Sequence, residues 1–206
     1  MMIMKKQYLH SLIVAAVALI SAGLSTSAVA DGTPSLDLTV QANITAGTCA
    51  ASVLDGSTAT NTIGFGNVYI SEVFAKTKVK PFKLRFSDCA GLKDKKATVT
   101  LAPSAGRGCA GGSSNLPEFS NSSTSSTKAS KTAVEVWTTD TPAGTDSVQF
   151  NCFTKNAQIV DLSNATSTTP VEYLLSARMV PVTGTAITAI TAGDFYSPTT
   201  FTITYQ

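Results

Sequence analysis

Histidine is almost missing from this sequence: the only one is His10, inside a stretch that reads as a cleaved leader. Without imidazole in the mature chain, Ser-His-Asp and Cys-His nucleophilic machinery and His-based metal sites are excluded. No Gly-rich phosphate loop is present, and the acidic residues are scattered singly, which argues against the paired carboxylates of a glycosidase. Ser125-Ser126-Thr127-Lys128 has the S-x-x-K spacing of serine acyl-enzymes but no K-T-G or S-D-N companion, and it reads as a solvated loop. The cysteines stand singly with no C-x-x-C pair, which argues against a zinc site. No enzyme activity and no cofactor are expected. Long apolar runs are also lacking. The longest, Leu12 to Leu24, is interrupted by Ser21 and Gly23 and falls short of the roughly 20 residues that a membrane span needs. Charge of one sign is lacking too: of fifteen basic and thirteen acidic residues, Lys5 and Lys6 lie in the leader. The mature chain is formally neutral, so neither nucleic acid nor an anionic membrane is an expected partner.

What is present begins with that leader. Lys5 and Lys6, the apolar stretch and Ala28-Val29-Ala30 have the three-part layout of a secretory signal, residues 1–30, cleaved after Ala30. About 176 residues then remain, enough for one domain with a core. They are rich in Ser, Thr, Ala, Val and Gly, which favours short strands and turns. Cys49, Cys89, Cys109 and Cys152 are an even number in a chain bound for an oxidising compartment, so disulfides are expected. Three connectivities are open, and the residues alone do not choose.

From Leu36 the chain alternates strictly, with Leu36, Leu38, Val40, Ala42 and Ile44 on one side and polar residues on the other. This period of two predicts a strand with one buried face. Further strands are predicted over Thr62–Tyr69, Val79–Asp88, Ala97–Leu101, Ala133–Thr138, Ser147–Phe153, Val171–Val180 and Phe195–Tyr205. Turn residues separate most of them, as in an all-β sandwich. No helical stripe of useful length and no internal repeat is visible. Residues 110–131 form a Ser/Thr-rich stretch read as an exposed loop outside the core. A bridge from Cys109 to Cys152 would restrain it. Asn43, Asn121 and Asn164 begin N-x-S/T triplets, which matter only in a glycosylating host. Trp137 is read as a core residue, with sugar stacking as the alternative.

The final segment places Phe195, Phe201, Ile203 and Tyr205 on one face, with the sequence ending inside a strand whose edge is left open. With these residues the chain resembles the subunits of chaperone-usher fimbriae, of the type 1 and P pilus kind. Tyr205 matches that family's penultimate tyrosine and Gly193 its glycine fourteen residues from the end. Cys49 follows the alternating stretch Leu36 to Ile44, Gly66-Asn67-Val68 supplies a Gly-x-Val step, and Phe86-Ser87-Asp88-Cys89 supplies the second cysteine. The resemblance covers the whole mature chain in order. One departure is Ala42, where many members have glycine seven residues before the first cysteine.

The resemblance implies an incomplete immunoglobulin-like β-sandwich lacking its final strand, spanning residues 47–206, after an extension over residues 31–46. It implies donor residues Leu36, Leu38, Val40, Ala42 and Ile44, and an acceptor strand carrying Gly193, Phe195, Phe201, Ile203 and Tyr205. It pairs Cys49 with Cys89, leaving Cys109 for Cys152. The partners it implies are a periplasmic fimbrial chaperone, an outer-membrane usher and neighbouring subunits, with export through the periplasm to a fimbrium on the cell surface. A shaft or adaptor role fits, because the chain has a donor extension and is too short for a separate receptor-binding domain. The alternative from another class is a free-standing secreted carbohydrate-binding sandwich.

Overall fold

The computed structural model describes residues 41–42, 45–111 and 116–206. The chain divides into two units, Met1–Ala42 and Asn43–Gln206, and the architecture below is that of the second. Its larger sheet is built from β1 (Thr48–Asp55), β3 (Val79–Ala90), β9 (Val171–Pro181) and β6 (Thr132–Trp137), hydrogen-bonded side by side in that order. Short strands finish its edges: β2 (Thr58–Ala59) on β1, and β5 (Phe119–Ser120) and β7 (Gln149–Phe150) on β6. The smaller sheet has the order β10 (Thr199–Tyr205), β4 (Lys96–Pro103), β8 (Gln158–Asp161). All the ladders are antiparallel.

An immunoglobulin-type sandwich packs strands A, B, E and D against C, F and G. In chain order β1, β3, β9 and β6 are A, B, E and D, while β4 and β10 are C and F. The position of G, beside β10, is empty among the described residues. The fold is therefore all-β and incomplete in the manner expected from the sequence, with β8 added on the far edge of β4.

Alternation builds the core. Phe82, Leu84 and Phe86 of β3 point inward at 5%, 2% and 0% exposure, and the residues between them face out. They meet Ala97, Val99 and Leu101 from β4 and Leu175, Ala177 and Met179 from β9. A strict period of two would carry Asp88 inward and Cys89 outward. Instead Thr48 pairs with Ala90 but Ala50 with Ser87, which puts one extra residue into β3. Asp88, at φ 52°, absorbs it. This bulge resets the parity, so Cys89 turns inward and bonds Cys49.

Several predicted elements differ. Thr62–Tyr69 is not a strand. Ile63, Phe65, Val68 and Ile70 do pack against the core, but the segment joins no ladder, and Gly66 at φ 64° breaks its run. A short helix, α1 (Ile70–Phe74), follows, burying Val73. The Tyr69 N–H donates to the Glu72 carboxylate at 2.8 Å, satisfying one of the donors that a helix start leaves unpaired. β1 has little alternation and escapes a periodicity reading, and the last strand starts at Thr199, not Phe195. The Ser/Thr-rich stretch is not wholly outside the core: Phe119 is 1% exposed and pairs with Val134. Among the described residues no helix is long and apolar enough to cross a membrane.

Candidate functional site

Neighbouring residues of β4 and β10 have very different surroundings. Phe201 pairs with Leu101, Ile203 with Val99 and Tyr205 with Ala97, so each pair shares one face of one sheet. The β4 members are 1%, 0% and 0% exposed, whereas the three β10 members are only half-buried. Among the described residues β4 has a strand on both sides and β10 on one. The outer edge of β10 therefore keeps, among the described residues, a row of backbone groups without a ladder, and its inward side chains keep one flank uncovered.

Along that flank runs a groove of about 1280 Å³. One wall is Phe201 and Thr199 with residues 193–198 ahead of them, and the other is residues 61–71. Val53, Phe82, Leu101, Val136, Met179 and Ile190 line it as well, so the opening gives directly onto the core between the sheets. It exceeds the 300–1,000 Å³ usual for small-molecule pockets. An extended chain segment suits it better, since a strand offers both a backbone ladder and alternate side chains.

Aromatic packing fixes the β10 wall. The Phe201 ring lies 6.4 Å from Phe82 and 6.1 Å, edge-on, from Phe150. Tyr205 meets Phe86 edge-on at 6.4 Å, and its hydroxyl donates to the Cys49 carbonyl at 3.0 Å. Burial pushes the Tyr205 phenol above its ordinary pKa, because ionisation there would place charge in a partly apolar setting. Gly193 forms the turn at the head of the same wall, at φ 148°. A β-carbon on it would lie 1.9 Å from the Thr127 carbonyl oxygen and 2.6 Å from the Ala129 nitrogen, so the close approach of the two segments requires glycine.

Of the residues singled out on sequence, Gly193, Phe195 and Phe201 line the groove, while Ile203 and Tyr205 pack further along the core. Leu36, Leu38, Val40 and Ile44 lie outside the described residues; Ala42 is described, exposed and without regular structure. The bridges Cys49–Cys89 and Cys109–Cys152 are both present. Trp137 is half-buried, with the Arg178 guanidinium 5.3 Å above its ring and its Nε1–H donating to Glu135 at 3.0 Å. Sequence reasoning missed Val53, Met179 and Ile190, whose apolar character does not separate a groove lining from ordinary core.

No protein-family model matches the chain. It is 45% identical over 175 residues, 84% of its length and 86% of the relative's, to the uncharacterized fimbrial-like protein YadL of Escherichia coli (strain K12). Among solved structures it is similar to the P pilus rod subunit PapA, with TM-score 0.49 and 16% identity over 77% of this chain and 99% of that one. It is also similar to the CupB6 tip adhesin from Pseudomonas aeruginosa, with TM-score 0.43 and 16% identity over 62% of this chain and 30% of that one. The 45% identity along most of both sequences settles the kinship: this chain belongs to the fimbrial-like protein family.

Proposed function

We propose that the chain is a structural subunit, shaft or adaptor, of a chaperone-usher fimbria, and that it joins its neighbours by accepting and giving a β-strand. The groove beside β10 first takes a strand from a periplasmic chaperone. At the outer-membrane usher, the amino-terminal extension of another subunit replaces it. The donor residues are Leu36, Leu38, Val40, Ala42 and Ile44. Each Leu, Val or Ile that they bury is worth about 1.5–3 kcal/mol, so a filled joint is long-lived even after ordering costs. The fibre reaches the cell surface through the periplasm and supports adhesion there, and the subunit does no chemistry of its own.

The observation that carries this reading is the half-exposed state of Phe201, Ile203 and Tyr205 beside fully buried partners on β4. Nothing favours the carbohydrate-binding alternative, since Arg178 occupies a face of Trp137. The test is the pair Phe201→Asp and Tyr205→Asp, expressed with the cognate chaperone. Loss of co-purification and periplasmic degradation are expected. Unchanged levels and unchanged capture would remove β10 from the acceptor site.

A further inference from the structure

Residues 193–198, the head of the groove wall, do not belong to the β10–β4 ladder. At the β10 end the Ser104 N–H donates to the Pro198 carbonyl at 3.0 Å, and what holds Asp194 and Tyr196 is the Ser/Thr-rich stretch. The Ala129 N–H donates to the Asp194 carbonyl at 2.9 Å, the Asp194 N–H to the Thr127 carbonyl at 3.1 Å, and the Ser122 N–H to the Tyr196 carbonyl at 2.7 Å. At the centre is Asn121. Its Nδ2 donates to the carbonyls of Ala129 and Asp194, both at 2.8 Å. Its Oδ1 accepts the N–H groups of Tyr196 at 3.1 Å and Ser123 at 3.0 Å. A carboxamide has two N–H donors and two acceptor lone pairs, and here every one is spent on backbone.

Two of the four partners, Asp194 and Tyr196, belong to the wall and two, Ser123 and Ala129, to the loop, so one side chain ties loop and wall together. The loop is anchored in turn. Cys109 is bonded to Cys152, the Cys152 N–H donates to the Pro117 carbonyl at 2.9 Å, and Phe119 is buried at 1% exposure. The close approach at Gly193 belongs to the same contact.

We propose that residues 117–129 of the Ser/Thr-rich stretch form the brace of the acceptor groove, with Asn121 as its positioning residue. By holding residues 193–196 in place before any strand arrives, it lowers the ordering cost of strand entry at that end. This inference rests on the strand-accepting function proposed above and assigns a role within it.

The test uses the full-length chain purified with its periplasmic chaperone and mixed with a synthetic peptide of residues 34–46. Native electrophoresis follows peptide uptake. Asn121→Ala should take up peptide about tenfold more slowly, as expected when several hydrogen bonds to one side chain are lost together. Asn121→Asp, which keeps the acceptors and loses the donors, should fall between. Leu162→Ala, a cavity variant in the core away from the groove, controls for stability: at an equally lowered unfolding midpoint it should keep the parental uptake rate. Parental uptake by Asn121→Ala overturns the brace alone, and equal slowing by Leu162→Ala does the same. Failure of the unaltered chain to take up peptide overturns the strand-accepting function, and the brace falls with it. Should Asn121→Ala not be recovered, hydrogen exchange on the unaltered complex decides. Asp194 and Tyr196 amides protected like those of β4 support the brace; loop-like exchange overturns it.

Discussion

At Gly193 a single methyl group has nowhere to go, because the Thr127 carbonyl oxygen already occupies the space at 1.9 Å from where it would sit. Gly193→Ala should therefore destabilise the domain by at least about 1–3 kcal/mol from backbone strain, and a urea midpoint equal to the parent's would show that the approach is looser than described. Tyr205 makes a second prediction at this scale. Its phenol is raised by desolvation, and that of Tyr173 is raised by the same cause, partly offset by a hydrogen bond with Thr138. The unfolded chain ionises its tyrosines near pH 10, before the folded chain does. Stability should be intact below that pH and decline above it, as pH rises toward and through the folded values. Tyr205→Phe should flatten the decline, measured as the unfolding midpoint against pH. An unchanged slope would assign the effect elsewhere.

Among the elements, β4 and the Phe82–Phe86 part of β3 were legible from the sequence because alternation reports which side chains face the core, and these runs obey it. The same signal misled over Thr62–Tyr69. Ile63 and Phe65 do turn to the core, yet periodicity carries no information on whether the backbone finds a partner. On the groove's β10 wall Phe201 was legible through its alternation with Ile203 and Tyr205, which pack further along the same strand. Asn121 was not, since its role depends on Asp194 and Tyr196, more than seventy positions away, and locally it is one polar residue in a polar run. The bulge at Asp88 was also hidden, although the pairing of Cys49 with Cys89 depends on it. For the amino-terminal extension the expectation is direct: removing residues 31–45 should leave a subunit that its chaperone still captures but that cannot enter the groove of another. Normal fibres from the truncated chain, seen by electron microscopy, would end the donor assignment.

On the scale of the molecule, the two disulfides divide the work of holding an incomplete sandwich. They span 40 and 43 residues, so chain entropy gives each about 4 kcal/mol, but they restrain different parts. Cys49–Cys89 secures β1, the strand next to the opening, and Cys109–Cys152 secures the loop that reaches residues 193–196. Replacing the first pair with alanine should abolish recovery of folded protein from the periplasm. Replacing the second should leave a folded sandwich whose residues 119–131 lose protection from hydrogen exchange; uniform loss of protection throughout would contradict this division. Among the described residues the other outermost strands are short: β8, the far edge of the smaller sheet, has four residues, and β2, β5 and β7 at the rims of the larger one have two each. Such short edges are poor templates for further pairing. On the function proposed, each copy then has one socket and one plug, and units of valence two make only a single-file thread. It lengthens without branching, and its width stays the same however many copies are added.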